Sequence, residues 1–211
     1  MKIPVFDLTG KQIEELTLNK AIFEAKANPE LLAQAIRIHQ SNQRAASAST
    51  KTRSDIARTG KKLYRQKGTG GARHGDKKAP IFVGGSKAHG PKPTQHFRLK
   101  FPKKMRREAL KSALSVKASD KAIIVIAGLD KIKQAKTKDA AGFIQAVYEG
   151  KKQRGIGLVL TQDLGQAQKA FRNLPIVTCL ASDKLTSYEV LKAHQLVFAK
   201  EALEQITKRL S

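Results

Sequence analysis

Three short runs of contiguous apolar residues mark the second half of the chain, at 122–127 (Ala-Ile-Ile-Val-Ile-Ala), 156–160 (Ile-Gly-Leu-Val-Leu) and 176–180 (Ile-Val-Thr-Cys-Leu). Each is β-branched and lacks polar alternation, the pattern of strands covered on both faces. Residues 196–199 (Leu-Val-Phe-Ala) supply a fourth run, and 3–8 a further strand expected at an edge. Between the runs the apolar period changes to that of helices. Ala140, Ile144, Val147 and Tyr148 share one helical side, and Leu164, Ala167 and Phe171 another. Thr186 and Glu189 have the spacing of a capping box, and Leu203, Ile206 and Leu210 line one face of a closing helix. Towards the N-terminus, Asn28-Pro29-Glu30 reads as a cap, a first-position proline and a first-turn acid. Leu31, Leu32, Ala35, Ile36 and Ile38 then form an apolar face running towards Arg44. After Pro102, Met105, Ala109, Ala113 and Val116 lie on one side of a helix with Leu110 and Leu114 beside them. Its other side carries Lys103, Lys104, Arg106, Arg107 and Lys111. Strands alternating with helices over short connections predict an α/β fold: a three-layer domain with a mainly parallel four-stranded sheet.

Between residues 51 and 101 this patterning stops. Residues 51–107 hold 18 Lys or Arg against two acids, Asp55 and Asp76, a net of +16 out of +24 for all 211 residues. The same segment contains eight of the fifteen Gly and four of the seven Pro. Such a stretch cannot bury a core, and like-charge repulsion is expected to keep it open in isolation. The predicted organisation is therefore a globular α/β domain from 1–50 and 102–211, interrupted by an extended basic loop at 51–101. Two arms of about 28 residues reach on the order of 90 Å when fully extended. A charge balance of this sign and size points to a polyanion as partner. The longest apolar stretch, 122–129, is eight residues and too short to span a bilayer. Asp7 interrupts what would be the apolar part of a signal peptide. Cys179 is the only cysteine, so no internal disulfide or Cys-rich zinc site is expected, and it reads as an inert core thiol. The chain reads as soluble, basic and intracellular.

Catalytic signatures are thin. The glycines at 68–75 (Gly-Thr-Gly-Gly-Ala-Arg-His-Gly) do not make a dinucleotide fingerprint: Arg73 occupies the third glycine slot, and a cationic stretch, not an apolar strand, precedes them. Glycines set among cations instead let the backbone approach a phosphate or a base closely. His74, His89 and His96 lie among cations with no adjacent acid to fix a tautomer, so contact with phosphate or solvent is expected of them. His39 and His194 lack metal-ligand spacing. Tyr64, Phe82, Phe97 and Phe101 are interleaved with the cations and either stack on bases or pack locally. No metal or cofactor is expected. An RNA-processing enzyme is the alternative, since Asp130, Asp163 and Asp183 each follow a predicted strand. Helix N-terminal and turn positions account for the same three acids. A DNA-compacting protein would call for a groove-reading motif, which the chain lacks.

The stretch at 61–75 (Lys-Lys-Leu-Tyr-Arg-Gln-Lys-Gly-Thr-Gly-Gly-Ala-Arg-His-Gly) resembles the loop signature of the bacterial large-subunit ribosomal protein L-four family. So do 90–93 (Gly-Pro-Lys-Pro), 102–107 (Pro-Lys-Lys-Met-Arg-Arg), 109–114 (Ala-Leu-Lys-Ser-Ala-Leu), 50–54 (Thr-Lys-Thr-Arg-Ser) and 172–175 (Arg-Asn-Leu-Pro). The resemblance runs over essentially the whole chain. It implies a non-enzymatic, cytoplasmic assembly protein of the large ribosomal subunit that binds rRNA early, is not a homo-oligomer and has no membrane partner. It also implies a loop tip lining the narrow part of the peptide exit tunnel, opposite the tip of protein L-twenty-two. The matching tip is Gln66, Lys67, Gly68, Thr69, Gly70 and Gly71. Changes at the positions matching Lys67 and Gly70 are associated in the family with macrolide resistance, and some members bind their own messenger leader. Two residues depart from the family pattern: Tyr64 stands where Trp is usual, and Gly71 where Arg is usual.

The residues expected to meet rRNA are Lys51, Arg53, Arg58, Lys61, Lys62, Tyr64, Arg65, Lys67, Arg73 and His74, then Lys87, Lys92, Lys103, Lys104, Arg106 and Arg107. The cations among them would neutralise phosphates where rRNA helices converge, and the loop would become ordered on binding.

Overall fold

A computed structural model describes residues 1–131, 135–148 and 155–210. The chain divides into two compact units. One comprises Met1–His39 together with the chain from Lys100 onward, and the other is Gln40–Leu99.

The first unit is built on one six-stranded sheet in the order β2-β1-β3-β6-β4-β5. The strands are β1 (Lys2–Phe6), β2 (Gln12–Thr17), β3 (Ile123–Ile126), β4 (Ile156–Leu160), β5 (Val177–Ala181) and β6 (Gln195–Ala199). All pairings are parallel except the β1–β2 hairpin. The four apolar runs are strands β3 to β6, as their patterning predicts, and the sheet is α/β and mainly parallel. It has six strands rather than four because the hairpin joins it. The edge position is also different: β1 lies between β2 and β3, with Val5 opposite Val125, and β2 takes the edge. β2 escapes a reading by hydrophobic pattern because its sequence, Gln-Ile-Glu-Glu-Leu-Thr, is exposed at all but one position. A charged edge also discourages pairing with another chain. The hairpin turn needs Gly10, whose φ is +80° and where a Cβ would collide with that of Ala146.

The helices are α1 (Lys20–Phe23), α2 (Pro29–Gln43), α3 (Lys103–Ser119), α4 (Thr137–Val147), α5 (Gly165–Phe171), α6 (Ser187–Lys192) and α7 (Lys200–Leu210). β4 is buried at every position and β6 at four of five, so the sheet centre is covered from both sides. α4 packs with α5, where Phe143 and Phe171 meet edge to face at 6.4 Å, while α3 packs with α1 and α6. α3 turns Ala109, Leu110, Ala113 and Leu114 inward. α2 begins where Asn28 Oδ1 accepts from the Leu31 N–H at 3.1 Å. The capping box forms: the Thr186 N–H donates to Glu189 Oε2 at 2.9 Å, and Thr186 Oγ1 accepts from the Glu189 N–H at 3.4 Å.

Tyr148, at the end of α4, is buried, and burial pushes its phenol up to about 12. The folded state therefore retains this proton in a range where the unfolded chain has lost it. Stability should fall as pH rises from about 10 to about 12, by about 2–3 kcal/mol in total. Urea titrations across this range should show that loss, and Tyr148→Phe should remove most of it.

Candidate nucleic-acid interface

Unit Gln40–Leu99 has no strand, and helix only in the last turn of α2, so turns and side chains hold it. Its two ends are tied together. Ser41 Oγ donates to Phe97 O at 2.7 Å, the Leu99 N–H donates to Asn42 Oδ1 at 2.7 Å, and Arg44 lies over the Phe97 ring at 4.9 Å. Further out, the Thr50 N–H donates to Pro91 O at 3.1 Å and the Lys87 N–H to Lys51 O at 3.2 Å. Near the far turn, the Leu63 N–H donates to Gly75 O at 2.8 Å, and Tyr64 Oη donates to Ala72 O.

Arg53 and Asp76 join segments 23 residues apart through two contacts, Nη2 to Oδ1 at 2.9 Å and Nε to Oδ2 at 3.2 Å. The Asp76 side chain is only 9% exposed, against 64% for Arg53. The acid in this cationic segment is thus a structural tie. The other acid, Asp55, accepts from the Thr52 hydroxyl and N–H, which hold its carboxyl below the usual carboxylate range.

All fourteen expected cations are exposed: Lys51, Arg53, Arg58, Lys61, Lys62, Arg65, Lys67, Arg73, Lys87 and Lys92 in this unit, and Lys103, Lys104, Arg106 and Arg107 on α3. Arg53 differs from the rest in having its charge matched by Asp76. Arg58 and Arg65 donate to main-chain oxygens, of Val83 at 2.8 Å and Gly68 at 3.0 Å, and Lys62 donates to Gln66 Oε1. These contacts orient the side chains without cancelling their charge. Tyr64 and His74 are half-buried and belong to a short file of rings: Tyr64 to His74 at 6.1 Å, then His74 to Phe82 at 5.1 Å, both edge-on. Tyr64 and Phe82, two of the interleaved aromatics, thus each pack edge-on against His74 within the unit. At the tip, Gln66 to Gly71 are all exposed, and Gly68 and Gly70 have φ of +77° and +68°, where a Cβ would be strained.

The three strand-end acids do not converge. Asp130 sits in a 3-10 turn (Leu129–Lys131), Asp163 in the turn before α5, and Asp183 in the turn after β5, where it accepts from Gln162 Nε2 at 3.1 Å. Asp130 and Asp163 line one cleft, but Asp183 does not line it. Among the described residues no group of three His, Cys, Asp or Glu is arranged to hold a metal ion. No helix among them is long and apolar enough to cross a membrane. Cys179 is not a core residue as its apolar run suggests. It lies half-buried on edge strand β5, and burial pushes its thiol up despite nearby Arg172.

Reading by pattern missed the Arg53–Asp76 tie and the Ser41 and Asn42 clamp. The tie had a visible signal, a lone acid deep in a cationic run. The clamp had none, because serine and asparagine near a helix end read as ordinary capping chemistry.

A globular α/β domain interrupted between two helices by a basic, glycine-tipped unit defines the class of protein. A sequence model of the Ribosomal protein L4/L1 family matches residues 16–209. A large ribosomal subunit protein uL4 from Erythrobacter litoralis is 39% identical, with 100% of each chain covered. Its counterpart from Aquifex aeolicus is 37% identical over 94% of this chain and 98% of its own, and that of Corynebacterium diphtheriae 37% over 100% and 95%. The chain belongs to the Ribosomal protein L4/L1 family.

Proposed function

We propose that this chain is a non-catalytic constituent of the large ribosomal subunit, acting in the cytoplasm. In this reading its basic unit and the cationic face of α3 bind large-subunit rRNA, and Gln66 to Gly71 line the narrow part of the peptide exit tunnel facing protein L-twenty-two. Family membership supports the subunit assignment. The observation that carries the rRNA assignment is the net charge of +16 over residues 51–107, whose expected RNA-facing cations are all exposed.

The chemistry is counterion release. Each phosphate neutralised by a Lys or Arg frees condensed cations, which supplies affinity without reading base sequence. The main-chain ties within the basic unit limit how much order must be gained on binding. The two positive-φ glycines let the tip turn sharply with little side-chain bulk, suited to a place where RNA and a nascent chain pass close together.

Sedimentation of a cell extract through sucrose in high salt tests this reading. The chain should travel with the large subunit at one copy per particle, and migration as a free protein would overturn the assignment. Particles carrying bulky residues at 68–71 should still assemble but respond differently to macrolides. Unchanged drug response together with unchanged nascent-chain stalling would overturn the placement of the tip.

A further inference from the structure

The α/β unit carries a second feature with the opposite charge. A cleft of about 490 Å³ opens where β3, β4 and β6 end, between the turns that follow β3 and β4 and the first turns of α7. In the sheet β6 lies between β3 and β4, so the cleft sits at the carboxyl ends of neighbouring parallel strands. Open parallel sheets bind ligands outside the carboxyl ends of their strands. Four acids line the cleft, Asp130, Asp163, Glu201 and Glu204, against a single described cation, Lys208. All four are exposed, and none is in an ion pair among the described residues. Lys200, one turn before Glu204, is bonded instead to Glu14 at 2.8 Å. On a chain of net charge +24, this is a concentration of negative charge at a concave surface.

A second observation comes from the wall. Thr161 is 8% exposed, lines the cleft, and its Oγ1 has no hydrogen-bond partner. Buried hydroxyls are normally paired, so this one is a donor and acceptor available to an occupant. Beside the cleft lies a mainly apolar groove of about 570 Å³ lined by Leu16, Phe23 and Leu203. Glu204 and Lys208 of α7 border both concavities, so one occupant can reach both.

We propose that this cleft is a docking site for a Lys- or Arg-rich segment of another protein, with a cationic side chain among the four acids and an apolar neighbour in the adjoining groove. Charge complementarity selects this occupant. RNA would be repelled by the same carboxylates, and the described acids lack the arrangement a metal ion requires. The occupant's guanidinium or ammonium group would bond the carboxylates, and its main chain the hydroxyl of Thr161.

The test titrates the full chain with a fluorescein-labelled nona-arginine peptide at low salt, where the rest of this cationic molecule repels the probe. Saturable binding is expected, with amide signals moving at Thr161, Asp163, Glu201 and Glu204. The double variant Asp163→Asn, Glu204→Gln should weaken binding about tenfold, since it removes two exposed charge pairs. Glu30→Gln with Glu108→Gln, acids that do not line the cleft, should leave it unchanged. Thermal midpoints and binding of an rRNA fragment should match wild type in both. If the first double variant unfolds, Asp130→Asn with Glu201→Gln must give the same loss. Absence of peptide binding, equal binding by the cleft variants, or movement of the same amide signals by RNA would overturn the proposal.

Discussion

Affinity of the full chain for large-subunit rRNA should fall by roughly 10³ to 10⁵ between about 50 and 200 mM salt, as expected for six to ten phosphate contacts. Lys61, Lys67, Arg73 and Lys87 are the cations with which to dissect that slope. All four are exposed, and none is in an ion pair among the described residues. Replacing the four together with Gln should reduce the slope of log affinity against log salt by about 3, at about 0.7–0.9 per contact. Arg53→Gln should behave differently. It leaves Asp76 as a buried carboxylate without its partner, so its main effect should be loss of amide protection around residues 53 and 76. Fluorescence anisotropy over a salt series, with hydrogen exchange on the Arg53 variant, separates the two effects. An unchanged slope in the fourfold variant would place the RNA contacts elsewhere on the chain.

Phe198→Ala should be the most destabilising single change in the α/β unit. Phe198 is fully buried in β6, in register with Val125 on one side and Val159 on the other. Removing a ring from such a site costs about 3–5 kcal/mol, since neither strand can move into the space without breaking its own pairing. At about 2–4 °C per kcal/mol for a chain of this length, the melting midpoint should drop by about 6–20 °C. Below that lowered midpoint the salt slope of rRNA binding should stay as in wild type, because no exposed cation has changed. Calorimetry and the same anisotropy series check both halves. A midpoint shift of only a degree or two would mean that the sheet centre repacks around the loss.

The candidate interface was legible because charge is a property of composition. Eighteen cations and two acids in 57 residues identify a polyanion-binding segment whatever its conformation. The roles of individual residues within it were less so. Arg53 looks like its neighbours until Asp76 is brought against it, and Tyr64, His74 and Phe82 look like isolated rings until the turns bring them into one file. The acidic cleft was visible only as separate turn and helix residues, because Asp130, Asp163 and Glu204 come from three elements far apart in sequence.

Strands β3 to β6, the capping box at Thr186 and Glu189, and the apolar face of α3 were determined by sequence alone. Each depends on the side-chain period or on a hydrogen bond spanning three residues, which are local quantities. Tertiary structure decided that β2 is a strand at all, that β6 separates β3 from β4, and that Cys179 sits on an edge. Strand neighbours are joined by main-chain hydrogen bonds that every residue offers alike. Their order is set by how the whole set of helices and strands packs together.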